Sequence, residues 1–185
     1  GVAIPSLGTY NFTHPDNLQI FNSGQTSLQV TLSNINSLPS DDNSTNDVLS
    51  MNIQALEYGT IIAGGIEREY IYYHPSSAPE NCPLVFVCHG YTGTAEGIMN
   101  YSEFNQLADE YGFAVCYPQG IDDSFGNAFW NVGYDFQNNE TVDDVSFLLN
   151  LTNAFEDDYG ILADEVFCTG MSNGGDFCYL LACQA

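Results

Sequence analysis

Positive charge is almost missing from this sequence: Arg68 is its one basic side chain, against 24 Asp and Glu in 185 residues, for a formal charge of −23. A surface of that sign repels nucleic-acid phosphates and anionic lipid headgroups, which excludes nucleic acid and membranes as partners. It also repels itself, and so calls for a saline or calcium-containing medium. Long apolar runs are missing as well, none approaching the roughly 20 residues of a membrane span. The six cysteines include no C-x-x-C pair, so the spacing of a zinc module is absent. No secretory leader is present, and Gly1 reads as a mature or clipped N-terminus. Nothing calls for a metal or a cofactor.

What is there can build a core: 44% of the residues are hydrophobic and 14% aromatic, which excludes disorder by composition. Asn-x-Ser/Thr sequons begin at Asn11, Asn43, Asn100, Asn139 and Asn150, a density that fits an extracellular or cell-surface glycoprotein. Residues 1–55 read as a β-rich accessory segment. Leu28, Val30 and Leu32 alternate with polar residues, as do Met51, Ile53 and Ala55, with an acidic loop from Ser37 to Asp47 between them. No chemistry attaches to this segment.

Residues 56–185 have α/β character. Ile61 to Tyr73 reads as a hairpin turning at Ala63-Gly64-Gly65, and Pro83–Cys88 is a continuous apolar run, as in a strand buried on both faces. A helix with Phe104, Leu107, Ala108 and Tyr111 on one face ends at Gly112, and Phe113–Tyr117 is a second buried strand. In the next helix Thr141 and Asp144 form a capping box, which gives Asp143 and Asp144 to the helix start rather than to catalysis. Val145, Leu148, Leu151 and Phe155 turn inward there, and the opposite stripe leaves Asn150 facing water.

The chemistry concentrates in Cys168-Thr-Gly-Met-Ser-Asn-Gly-Gly175. An apolar strand precedes it and a helix follows, so Gly170-Met-Ser172-Asn-Gly174 is G-x-S-x-G in the strand–turn–helix setting of a nucleophile elbow. A turn that sharp strains the serine backbone and exposes its hydroxyl, and Gly170 and Gly174 leave room for it. The helix start directs N–H groups and a positive dipole end at whatever the serine attacks. The competing reading is a Gly-rich turn with a solvated serine.

Pro83 to Ala185 resembles the N-terminal half of the polyhydroxybutyrate depolymerase-like and feruloyl esterase-like α/β-hydrolases, a likeness extending over about residues 58–185. The matching motifs run in order: the apolar strand into His89-Gly90, Ala108-Asp109 before Gly112-Phe113, Tyr117-Pro-Gln-Gly120, Val142–Phe147, Thr169–Gly175 and Leu181-Ala-Cys183. The resemblance implies an α/β-hydrolase-type, mostly parallel sheet with helices on both faces, broken off after the elbow helix. It further implies a secreted serine carboxylesterase acting through Ser172 on ester-linked polymers or hydroxycinnamoyl and polyhydroxyalkanoate-type esters. The backbone N–H groups of Tyr91 and Asn173 would form the oxyanion hole. His89 and Trp130 are candidate cleft-lining residues, and His89, ahead of the serine at a strand end, is read as structural rather than as the base.

The departure from the pattern is equally plain. The fold's triad runs Ser, Asp or Glu, then His along the chain. No histidine follows Ser172 in this sequence, and the one carboxylate that does is Asp176. Either the acid and base lie outside this chain, on a missing C-terminal half, or the chain is a structural or assembly module whose sheet further copies complete. The two differ in what lies beside the strand Val166–Cys168: an open edge in the first case, a Leu28–Leu32 strand in the second. Cys88, Cys116 and Cys168 are expected as buried unbridged strand residues, and Cys82, Cys178 and Cys183 as bridge candidates.

Overall fold

The computed structural model describes residues 25–31, 48–54 and 56–185. The chain divides into two units, Gly1–Ala55 and Leu56–Ala185. In the first, β1 (Gln25–Thr31) and β2 (Val48–Gln54) pair antiparallel, Leu28 opposite Met51. The acidic loop and the sequons at Asn11 and Asn43 lie outside the described residues.

The second unit carries a five-stranded sheet in the order β3-β4-β6-β5-β7. Its strands are β3 (Glu57–Ala63), β4 (Ile66–Tyr73), β5 (Leu84–Cys88), β6 (Ala114–Pro118) and β7 (Val166–Gly170). The expected hairpin is β3–β4, with Gly64 and Gly65 at positive φ in its two-residue turn. β4 then runs antiparallel to β6, while β5 is parallel to both β6 and β7. The described sheet is therefore mixed, with a parallel β6-β5-β7 half and an antiparallel β3-β4 edge, as fits part of the expected α/β-hydrolase fold. Crossover helices impose the parallel pairings of the last three strands, whereas a tight hairpin permits only an antiparallel one.

Period-two alternation splits the side chains of the central strands between two layers. Leu84, Phe86 and Cys88 of β5 and Ala114 and Cys116 of β6 pack against α3 (Asp144–Tyr159) and α4 (Asn173–Gln184). Val87, Val115 and Tyr117 meet α1 (Ala95–Ser102) and α2 (Phe104–Tyr111) on the other face. The expected helix is α2, capped at Gly112, and α1 precedes it unannounced, capped by Glu103 in the left-handed region with φ 55°. The inward face of α2 also differs: Ala108 is buried, but Leu107 and Tyr111 are exposed.

α3 buries Val145, Leu148, Leu151 and Phe155 as its periodicity requires, and Phe147 with them, while Asn150 faces solvent. Its cap is Asp143, whose carboxylate accepts from Ser146 N at 2.9 Å; Thr141 has no part in it. Asp144 has a different task. It is 2% exposed and pairs at 2.7 Å with Arg68, itself 1% exposed and lying 4.0 Å above the Phe147 ring. The one cation of the sequence is therefore spent inside the fold, tying β4 to the start of α3. Burial pushes the Asp144 carboxyl above its usual range, against the pull of Arg68 and of Asn131 N–H.

β7 hydrogen-bonds to β5 alone among the described residues, and β1 pairs with β2 rather than with β7. Phe167, on the face that α1 and α2 cover elsewhere, is 59% exposed.

Candidate active site

Two strand ends meet at the candidate site. β7 delivers Gly170-Met171-Ser172, and its neighbour β5 delivers His89-Gly90-Tyr91. Ser172 is exposed and sits at φ 52°, ψ −120°, outside the regions that L-residues normally occupy. The turn is held by Met171 N donating to Cys88 O at 3.1 Å and Gly174 N donating to Met171 O at 2.9 Å.

The two elbow glycines are sterically required. A Cβ on Gly174 would lie 2.4 Å from His89 O and 2.6 Å from Cys88 O. One on Gly170 would lie 2.5 Å from the Gly174 carbonyl carbon. These contacts are to backbone, which cannot swing aside, so strand end and helix start approach as closely as peptide units can.

The His89-Gly90-Tyr91 turn abuts the serine: a Cβ on Gly90 would be 3.5 Å from Ser172 Cβ. Thr92 N donates to Ala128 O at 2.8 Å and Gly93 N to Gly90 O at 2.9 Å. The N–H groups of Tyr91 and Asn173 have no such partner among the described residues. Thr92 stands at φ 66°, a costly conformation for a β-branched residue, so strain occurs on both sides of the site.

His89 is 1% exposed, and both of its ring nitrogens are engaged. Nδ1 is 2.7 Å from Gly90 O and Nε2 accepts from Gly120 N at 2.9 Å, which fixes the neutral tautomer protonated at Nδ1. Burial lowers its pKa further. It buttresses the turn and lines no cleft. Trp130 likewise lines nothing: it is fully buried, donates from Nε1 to His89 O at 2.8 Å and stacks on Phe177 at 4.9 Å. An indole with its N–H satisfied internally is a packing residue.

Three roles went unread in the sequence. The Asn173 side chain accepts from Trp130 N at 2.8 Å and donates to Trp130 O at 3.0 Å, locking the first turn of α4. Asp123 accepts from Tyr91 OH at 2.8 Å, Gln137 Nε2 at 2.7 Å, Phe125 N at 2.9 Å and Asn127 N at 3.0 Å. Burial alone would raise this carboxyl, but those donors outweigh it and hold it below the usual carboxylate range. Gly120 has no room for a Cβ, which would fall 2.3 Å from Phe129 O. Gly120 had a signal as the last residue of Tyr117-Pro-Gln-Gly120, and Asn173 was read for its backbone but not for its side chain. Asp176, one turn beyond Ser172, accepts from Tyr134 OH.

A strained, exposed serine between strand and helix, with unpaired N–H groups beside it, is the arrangement of an α/β-hydrolase nucleophile elbow. The fold agrees. The chain resembles a solved acetyl xylan esterase from Aspergillus awamori (TM-score 0.52, 23% identity, covering 65% of this chain and 43% of that one). It also resembles an S-formylglutathione hydrolase from Agrobacterium tumefaciens (TM-score 0.56, 18% identity, 69% and 51% covered).

The sequence profile of the family described as Esterase PHB depolymerase matches residues 68–185, and the chain belongs to that family. Among curated relatives, the poly(3-hydroxybutyrate) depolymerase of Ralstonia pickettii is 32% identical over 139 residues, covering 67% of this chain. Acetylxylan esterase A of Talaromyces purpureogenus is 30% identical over 148 residues, 80% of this chain. The chain spans 28% and 37% of their respective lengths. None of the described helices is long and apolar enough to cross a membrane.

Proposed function

We propose that the parent protein is an extracellular serine carboxylesterase that cleaves ester-linked polymers or acyl esters carried on them, through an acyl-enzyme on Ser172. The observation that carries this reading is the backbone of Ser172: exposed, at φ 52°, and held there by two glycines whose neighbours leave no space for a Cβ. Strain of that kind costs on the order of 1–3 kcal/mol and persists where function requires it.

Ser172 Oγ attacks the ester carbonyl. The negative charge that develops on the carbonyl oxygen is met by the N–H groups of Tyr91 and Asn173, whose positions the buried His89 and the Asn173–Trp130 lock hold. The alcohol leaves, and water then releases the acid. His89 does not take the serine proton: it is neutral and spent on the Gly90 turn. The names of the relatives support polymer-borne esters as the substrate class. The sequons at Asn100, Asn139 and Asn150, all exposed, support an extracellular setting.

Incubating the parent chain with a fluorophosphonate probe tests the reading. Labelling at Ser172, lost in Ser172→Ala, is expected. An unlabelled Ser172 in active, folded protein would overturn it.

A further inference from the structure

We propose that Cys168 and Cys178 form a disulfide that straps the strand before Ser172 to the helix after it. Cys168 is the third residue of β7, Cys178 lies in the second turn of α4, and their sulfurs are 2.8 Å apart. Unbonded heavy atoms rest at roughly 3.5–4 Å, whereas a sulfur–sulfur bond is about 2.05 Å, so this pair is already well inside contact distance. Cys88, from β5, is 3.8 Å from Cys168, an ordinary contact, and is fully buried.

A shared metal ion is the competing use of three sulfurs that all lie within 4.8 Å of one another. Zinc–sulfur bonds of about 2.3 Å at a tetrahedral angle place ligand sulfurs roughly 3.8 Å apart. The 2.8 Å pair would close the angle at such an ion to about 75°. That geometry suits a bond and not two ligands of one ion. Neither cysteine of the pair is sealed from solvent. Both line an open recess of about 360 Å³, with Thr169, Gly170, Gly175 and Tyr179 around them.

The oxidant is a low-molecular-weight disulfide. The Cys178 thiolate attacks one of its sulfurs, expels the first thiolate and forms a mixed disulfide. Cys168, giving up its proton, then attacks Cys178 Sγ and expels the second thiolate. Two electrons pass to the oxidant, whose two thiolates leave as thiols, one taking the Cys168 proton and the other a proton from water. Hydrogen bonding from Cys168, with Cys88 assisting, holds the Cys178 thiol well below its usual range, which makes it the attacking thiolate. The closed loop contains the whole elbow, so the bridge ties the strained Ser172 turn at both ends. It does not depend on Ser172 being catalytic.

The parent protein, purified without reductant and alkylated while denatured, is cut before aspartates, which separates Asp164–Gly175 from the peptide that starts at Asp176. The two peptides are expected to stay joined until reduced, with fragmentation placing the link on Cys178 rather than Cys183. Separate peptides with both cysteines alkylated would overturn the proposal, as would a link from either to Cys88, or stoichiometric zinc or copper in the native protein. Reduction should lower the urea midpoint of the wild type and leave that of Cys178→Ala in place; equal shifts in both would also overturn it.

Discussion

β6 and β7 flank the same strand in the same parallel sense, five residues each, yet their surroundings are opposite. Every residue of β6 is buried, while β7 is half-buried with Phe167 59% exposed. The difference does not come from their own apolar content, which is similar. β6 has β4 on its far edge and helices over both faces, whereas β7 has neither the further strand nor the second layer among the described residues. A strand's stability thus lies mostly in its neighbours. The well-covered side of the sheet is the anchor, and the exposed side carries the serine.

If the covered side is the anchor, damage there should dominate. Phe155 is 1% exposed and packs against Tyr70, Tyr72 and Tyr159; Phe155→Ala should cost about 3–5 kcal/mol in urea unfolding. Asp144→Ala should cost a similar 3–5 kcal/mol or so, because it leaves the Arg68 charge buried and unpaired. Adding Arg68→Met should recover part of that loss, and no recovery would mean that packing, not charge, is what Asp144 supplies.

Gly174→Ala bridges the two regions. Its Cβ must displace the His89 and Cys88 carbonyls, so about 1–3 kcal/mol and most of the fluorophosphonate reactivity should be lost together. Unchanged reactivity would show that the junction tolerates movement.

A smaller effect is expected from pH. His89 is held neutral with its pKa lowered by burial, so the unfolded chain binds a proton first as pH falls. The stability tied to the neutral ring is complete above about pH 6.5 and is lost as pH falls towards the lower folded value. Comparing urea midpoints at pH 7 and 5.5 with those of His89→Gln isolates this term from the general relief of acidic repulsion. The smallest effect belongs to the exposed strand: Phe167→Ala should stay within about 0.5 kcal/mol, and a core-sized loss would reveal a covering layer over β7.

Much of this was legible beforehand, for physical reasons. Apolar runs and the G-x-S-x-G turn gave β5, β6, β7 and α4, because a strand buried on both faces and a steric demand for glycine each leave local marks. The hairpin was legible through Gly64-Gly65. What failed depended on tertiary partners. α1 went unread because the residue that ends it, Glu103, is left-handed with no glycine to announce it. Trp130 and His89 looked like lining because their types suit a cleft, yet each satisfies its polar atoms inward.

The burial of Arg68 has a consequence for how the molecule meets proteases. Within these 185 residues trypsin has one bond to cut, after Arg68, and that side chain lies inside β4, 1% exposed and held by Asp144. Cleavage requires the central sheet to open, not a loop to fray. A protease that degrades most proteins piecemeal becomes, for this segment, a counter of opening events, and at low protease, where reclosing outpaces cleavage, the rate at which its two pieces appear reads the opening equilibrium.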